Sequence, residues 1–238
     1  MFAGPNGSGK STIKSVIPPS LLGVYINPDE IEDGIRLHGF VDLRAFNVET
    51  VEEEIFRFLA ASPLLQKSGL CQEAQSLQFS DGRLIFQGMP VNSYFASVIA
   101  DFLRQKLIEK RVSFTLETVM SSADKVRLLE KAQDLGYRTY IYYVATEDPI
   151  INISRVKSRV KIMGGHDVPE EKIVSRYYRS LALLPEAVRH SNRAYIFDNS
   201  NHEHIWLAEI TKGKVLEIKT DHVPTWFQKA FLDHIPGK

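Results

Sequence analysis

The stretch Gly4-Pro5-Asn6-Gly7-Ser8-Gly9-Lys10-Ser11-Thr12 satisfies the pattern G-x-x-x-x-G-K-[ST] in full, and it limits the fold more than any other feature of the chain. The pattern works at one kind of junction, where a β-strand ends and a helix begins. Glycines at positions 4, 7 and 9 let the backbone curl until successive N–H groups face one anion. A helix opening near Lys10 turns its positive dipole end to the same point. Lys10 then reaches the β- and γ-phosphates of a nucleoside triphosphate, and the Ser11 hydroxyl ligates Mg2+. ATP is expected rather than GTP, because no Asn-Lys-x-Asp guanine-reading motif follows. The alternative is an accidental glycine-rich turn, and the strand-to-helix setting argues against it.

Strand and helix signals alternate along most of the length, which points to an α/β fold with a largely parallel sheet flanked by helices. Met1–Ala3 ends the first strand and is short for a central one, so a few upstream residues are expected to complete it. Strands are expected at Gly23–Ile26, Val112–Val119, Tyr140–Ala145 and Ala194–Phe197. Helices are expected from about Lys10 and Glu30, and over Asn47–Ala61, Tyr94–Glu109, Asp124–Leu135, Pro149–Ile162 and Pro169–Arg189. Ser80-Asp81-Gly82 between Leu77–Phe79 and Leu84–Phe86 signals a hairpin that interrupts the α/β rhythm. These signals give one domain over 1–200, with an insertion at about 66–92. An extension over 201–238 carries a second hairpin, Trp206–Thr220, and a helix over Pro224–Ile235, packed on the same domain.

Composition decides what the chain does not do. With 238 residues, 44% of them hydrophobic, the chain is long enough to bury a core, and 29 basic against 29 acidic residues leave no net charge. No global field favours nucleic acid or an anionic membrane, so any anion must be met by a local cluster of positive groups. A single cysteine, Cys71, is read as a packing residue in a reducing, cytoplasmic protein. Apolar runs fall short of the ~20 residues that span a bilayer, and the first residues do not have the make-up of a signal peptide.

Val24-Tyr25-Ile26 runs into Asn27-Pro28-Asp29-Glu30, which puts Asp29 just past the carboxyl end of a strand, where open α/β sheets hold ligands. Asp29 can take a proton from an attacking hydroxyl there, or it can cap the helix that follows. Glu117 lies near another strand end and has the same two readings, a ligand carboxylate or a structural ion pair. Arg155 and Arg159, spaced i, i+4, share a helix face, and Arg176 and Arg179 sit on the next helix. With the glycine-containing loop 161–167 between them, the span 155–180 has the composition of a closing lid whose guanidinium groups reach a transferring phosphoryl group. Solvated pairs with neighbours such as Glu171 and Asp167 are the plainer reading. His166 is read as a lid residue rather than a metal ligand, and Tyr177-Tyr178 as part of an amphipathic helix.

Taken together, several segments resemble the zeta-toxin-type P-loop kinases. They are the phosphate loop, Ile26-Asn27-Pro28-Asp29, Phe114-Thr115-Leu116-Glu117-Thr118, Arg155-x-x-x-Arg159, Gly165-His166-Asp167-Val168-Pro169 and Tyr195-Ile196-Phe197-Asp198-Asn199-Ser200. The resemblance implies a nucleoside-monophosphate-kinase-like core and phosphoryl transfer from ATP to a hydroxyl, in the best-known members that of the sugar of UDP-N-acetylglucosamine. It implies Asp29 as general base, Glu117 and Thr118 as acceptor-binding residues, and Lys10, Arg159, Arg155 and Arg176 as catalytic cations. It also implies Asn199 on a loop lining the adenine, and an antitoxin-like protein partner. Two departures stand out: no glycine separates Glu117 from Thr118, and Asn-Pro-Asp replaces the Asp-x-Asp of many toxins. Other readings are an ATPase or nucleotide switch, and a kinase of a nucleic-acid 5′-hydroxyl or an antibiotic.

Overall fold

Alternating apolar strands and amphipathic helices are what the computed structural model contains over the residues it describes, 1–89, 92–163, 168–201 and 203–235. In chain order these are β1 (Phe2–Ala3), α1 (Lys10–Ser15), β2 (Val24–Ile26), α2 (Pro28–His38), β3 (Phe40–Asp42), α3 (Glu52–Ala60), α4 (Pro63–Lys67), α5 (Cys71–Ser76), β4 (Gln78–Ser80) and β5 (Arg83–Ile85). There follow α6 (Ser93–Glu109), β6 (Phe114–Thr118), α7 (Asp124–Asp134), β7 (Tyr140–Ala145), α8 (Pro149–Met163), α9 (Glu170–Arg189), β8 (Arg193–Asp198), β9 (Ile205–Thr211), β10 (Val215–Ile218) and α10 (Thr225–Ala230). They form two compact units, one of Met1–Pro18 with Thr118–Lys238 and one of Pro19–Glu117. The division therefore falls on either side of 19–117, and the C-terminal segment belongs to the first unit.

In the first unit the strand order is β10-β9-β8-β7-β1. β1 and β8 both run parallel to β7, with Phe2 opposite Tyr142 and Ala145 opposite Asp198. A parallel pair needs a long crossover, and α8 and α9 supply it between β7 and β8. Ile141, Tyr143, Val144 and Ala145 are buried, the near-continuous apolar run expected of a strand covered on both faces. β9 and β10 continue the sheet antiparallel, joined by a turn in which Lys212 and Gly213 both have positive φ. α9 buries Ile173, Tyr177, Ser180, Leu184, Ala187 and Val188, one helical face. Two of them anchor it: the Tyr177 hydroxyl donates to the Thr146 carbonyl at 2.6 Å, and the Ser180 hydroxyl to that of Val119 at 2.8 Å. Burial raises the phenols of Tyr143 and Tyr177 above the usual tyrosine value.

The second unit holds a parallel pair, β2 with β6, in register from Val24–Phe114 to Ile26–Leu116. α6 packs its apolar side there, with Phe102 edge-on to Phe58 of α3 at 5.2 Å. The expected hairpin forms, and Asp81 and Gly82 both take positive φ, as a two-residue type I′ turn requires. It is not an isolated ribbon, because β3 pairs with β5 to make the three-stranded order β3-β5-β4. The helix expected from Asn47 starts instead at Glu52, because Asn47 adopts the left-handed conformation and closes a preceding 3-10 turn, Leu43–Phe46.

Candidate nucleotide and acceptor sites

The phosphate loop lies where the sequence puts it, between β1 and α1. Gly4, Gly7 and Gly9 have φ of 139°, 73° and 91°, values that L side chains rarely adopt. Their surroundings exclude a side chain as well. A Cβ on Gly4 would fall on the Val144 carbonyl oxygen, one on Gly9 on the Asn199 amide nitrogen, and one on Gly7 2.6 Å from the Asn152 carbonyl. The loop is thus pressed against β7, α8 and the end of β8.

Side chains from those elements hold its outward-facing groups. Asn199 Nδ2 donates to the Ser8 carbonyl at 2.8 Å, and Asn152 Nδ2 to that of Asn6 at 2.6 Å. Arg176 Nη1 donates to Asn6 Oδ1 at 3.5 Å. Asn152 is itself fixed by the Thr146 hydroxyl, which donates to its Oδ1. Lys10 is 8% exposed, and its ammonium donates to the Gly4 and Pro5 carbonyls at 3.0 Å each. The Ser8 hydroxyl is buried without a hydrogen-bond partner among the described residues, and the Ser11 side chain is exposed. A glycine-lined backbone curl, a lysine held over its own carbonyls and an unsatisfied buried hydroxyl fit a polyphosphate.

The four arginines divide. Arg155 is spent on the chain itself, donating to the carbonyls of Asn199 at 2.7 Å and Asn201 at 3.2 Å. Arg159 lies one turn further along α8, exposed and with no hydrogen bond or ion pair among the described residues. Arg176 touches the phosphate loop, whereas Arg179 donates to Ser175 O in its own helix at 3.3 Å. Gly164, Gly165, His166 and Asp167 lie outside the described residues.

In the second unit, α2 begins at Pro28 and not at Glu30, and its cap is Asn27, whose Oδ1 accepts from Asp29 N at 3.1 Å. The capping alternative for Asp29 is thereby removed: its carboxylate is exposed and makes no hydrogen bond among the described residues. Glu117 Oε2 accepts from the Tyr25 hydroxyl at 2.6 Å. Burial foremost, then the Glu117 hydrogen bond and charge, push the Tyr25 phenol far above its usual value. Thr118, assigned to the first unit, uses Oγ1 to accept from Met120 N at 3.0 Å.

Sequence reasoning singled out neither Asn152 nor Tyr25. An asparagine in a helix reads as a residue facing water, and the middle residue of Val-Tyr-Ile reads as a packed strand position. Neither pattern carries a signal for a long-range partner.

A phosphate loop leading into a helix, beside parallel strands joined by helices, defines a P-loop kinase fold. A model of the zeta toxin family matches residues 90–211, just over half of the chain. The chain belongs to the zeta toxin family. The loop at 4–12 precedes the matched residues and rests on its own pattern and geometry. An uncharacterized protein of Haemophilus influenzae is 26% identical over 110 residues, which cover 44% of this chain and 78% of that protein. Among solved structures, the crystal structure of AvrRxo1-ORF1:AvrRxo1-ORF2 with sulphate ions matches with a TM-score of 0.57 and 12% identity, covering 100% of this chain and 65% of that one. The AvrRxo1-ORF1:-ORF2 structure with ATP matches at 0.53 and 12% identity, covering 92% and 60%. The chain thus spans less than two thirds of those structures, and at such identity the likeness is one of fold. Among the described residues no helix is long and apolar enough to cross a membrane.

Proposed function

We propose that this protein is an ATP-dependent phosphotransferase that moves the γ-phosphoryl group to a hydroxyl of a small molecule, with a nucleotide sugar such as UDP-N-acetylglucosamine as the leading acceptor. Family membership supports the kinase-like, ATP-using part of this reading. The observation that carries it is the phosphate loop, where three glycines at positive φ have no room for a Cβ and Lys10 closes over the curl. The nucleotide sugar rests on the resemblance of Glu117, Thr118 and Asp29 to the family's acceptor residues.

In this account, backbone N–H groups of residues 7–12 and the Lys10 ammonium bind the triphosphate, and the approach of an anion draws that ammonium from the Gly4 and Pro5 carbonyls. Mg2+, held through Ser11, supplies charge neutralisation on the phosphates when bound. Asp29, left uncommitted by the Asn27 cap, accepts the proton of the acceptor hydroxyl as the hydroxyl oxygen bonds to the γ-phosphorus. The bond from that phosphorus to the bridging oxygen breaks, and ADP leaves with the electron pair. Arg159 and Arg176 stabilise the charge that spreads over the equatorial oxygens, and Arg155 holds the 199–201 turn. An antitoxin-like protein is the proposed macromolecular partner, by analogy with the two-component AvrRxo1 complex, and the cytoplasm is the proposed location.

Phosphorus NMR of the protein with Mg-ATP and a panel of nucleotide sugars tests this reading. A new phosphomonoester signal that is absent with Lys10→Ala is the expected result. Inorganic phosphate as the sole product with every acceptor would favour an ATPase or switch, and a signal only with oligonucleotides or antibiotics would move the acceptor class.

A further inference from the structure

The loop that carries Asn199 is fastened from the far end of the chain. Trp226, on α10, is 4% exposed, and its Nε1 donates to Asp198 Oδ2 at 2.7 Å. Asp198 is 5% exposed. Its carboxylate takes two further bonds, from Ser200 N to Oδ1 at 3.0 Å and from the Ser200 hydroxyl to Oδ2 at 2.8 Å. The same Ser200 hydroxyl accepts from Glu147 N at 2.8 Å. These donors are all neutral. A carboxylate this buried is costly unless it is fully hydrogen-bonded, so the groups that satisfy it dictate the path of 198–200.

Between the two anchor residues sits Asn199. Its backbone N–H donates to Ala145 O at 2.9 Å, its carbonyl accepts from Arg155 and its side chain donates to Ser8 O. Ser8 belongs to the phosphate loop, and the Asn199 amide occupies the space that a Cβ on Gly9 would need. A continuous hydrogen-bonded path therefore runs from the Trp226 indole through Asp198 and the 198–200 turn to the backbone that is to cradle phosphate.

We infer that Trp226 and Asp198 are positioning residues for the nucleotide: the C-terminal helix presets the Asn199 turn and, through it, the curl of the phosphate loop. This inference rests on the nucleotide-binding reading of that loop. If the turn is ordered before ATP arrives, ATP does not bear the cost of ordering it, so the effect lies in nucleotide affinity rather than in the chemical step. Trp226 lies beyond residue 211, where the family match ends.

The test is Trp226→Phe in the full chain, which keeps a ring beside Tyr143 and Phe227 and removes the indole N–H together with part of the ring volume. The expected result is a Kd for Mg-ATP about tenfold weaker by titration calorimetry, the scale of one hydrogen bond to a charged group. KM for ATP rises in step while kcat at saturating ATP is retained, a split that a general loss of folded protein does not produce. Should that variant not fold, Ser200→Ala removes the hydroxyl that ties Asp198 to Glu147 N while leaving Trp226 in place, and a loss of affinity in the same direction is expected. Wild-type-like Kd in whichever variant folds overturns the positioning role and leaves the nucleotide reading standing. Failure of the wild-type protein itself to bind Mg-ATP overturns both.

Discussion

Gly9 meets two demands at once, a positive φ of 91° and an amide nitrogen where its Cβ would be. Gly9→Ala is therefore expected to cost about 1–3 kcal/mol of stability and to displace Asn199 from Ser8. Urea unfolding reads the first effect and Mg-ATP titration the second. Asn27→Ala has a different signature. It removes the oxygen that caps α2, so stability is expected to fall by about 1 kcal/mol. Unfolding followed by circular dichroism checks that value. Tyr25→Phe removes the hydroxyl that Glu117 accepts from. In the proposed kinase it is expected to raise KM for the acceptor more than KM for ATP, because the bond fixes a carboxylate assigned to acceptor binding. Equal effects on both KM values would sever Glu117 from that role. These residues differ in how visible they are in sequence. The glycines and Lys10 belong to a local pattern whose spacing is its mechanism. Tyr25, Asn152 and Trp226 act on partners 92, 146 and 28 positions away, and no local spacing records such pairings.

Element by element, periodicity located most of the secondary structure, including β7 at Tyr140–Ala145 and α9 through Arg189. The turn chemistry of Asp81-Gly82 located the hairpin. What escaped is short or depends on a partner. β3 has three residues and exists by pairing with β5, and α4 and α5, of five and six residues, are too brief for an amphipathic pattern to register. Asn47 turns its segment away from helix although the apolar spacing continues through it. The three-stranded sheet is also held by charge. The Arg44 guanidinium, helped by Arg83 and opposed by burial, holds the Asp42 carboxyl down at about 2. The folded value lies below that of an unfolded aspartate, roughly 3.9. The contribution is therefore complete above pH ~4 and is lost as pH falls toward ~2. Urea unfolding of the wild type and Asp42→Asn between pH 2 and 5 is expected to show a stability gap that closes on acidification. A gap independent of pH would mean that Asp42 acts through packing alone.

At the scale of the whole chain, the sequence pattern led to an α/β nucleotide fold because a phosphate loop is informative about its flanks. It did not reveal the two units: Pro18-Pro19 marks one bound of Pro19–Glu117 but is too short to read as a linker, and the other bound lies within the strand Phe114–Thr118. It read 201–238 as a hairpin and helix packed on the same domain without saying where they join; β9 and β10 extend the sheet of the first unit and α10 reaches the turn beside the phosphate loop. Local periodicity identifies such strands without saying which edge they join. In the proposed reaction this phosphate loop delivers a γ-phosphoryl group to a hydroxyl deprotonated by Asp29. The most direct test follows label from γ-labelled ATP into a nucleotide-sugar acceptor, with wild type and Asp29→Asn compared at equal ATP occupancy. Labelled acceptor is expected with the wild type and, with Asp29→Asn, unchanged ATP affinity and transfer reduced about 10²-fold or more, the scale of lost general-base catalysis. Full transfer by Asp29→Asn, or label released only as inorganic phosphate by the wild type, would contradict it.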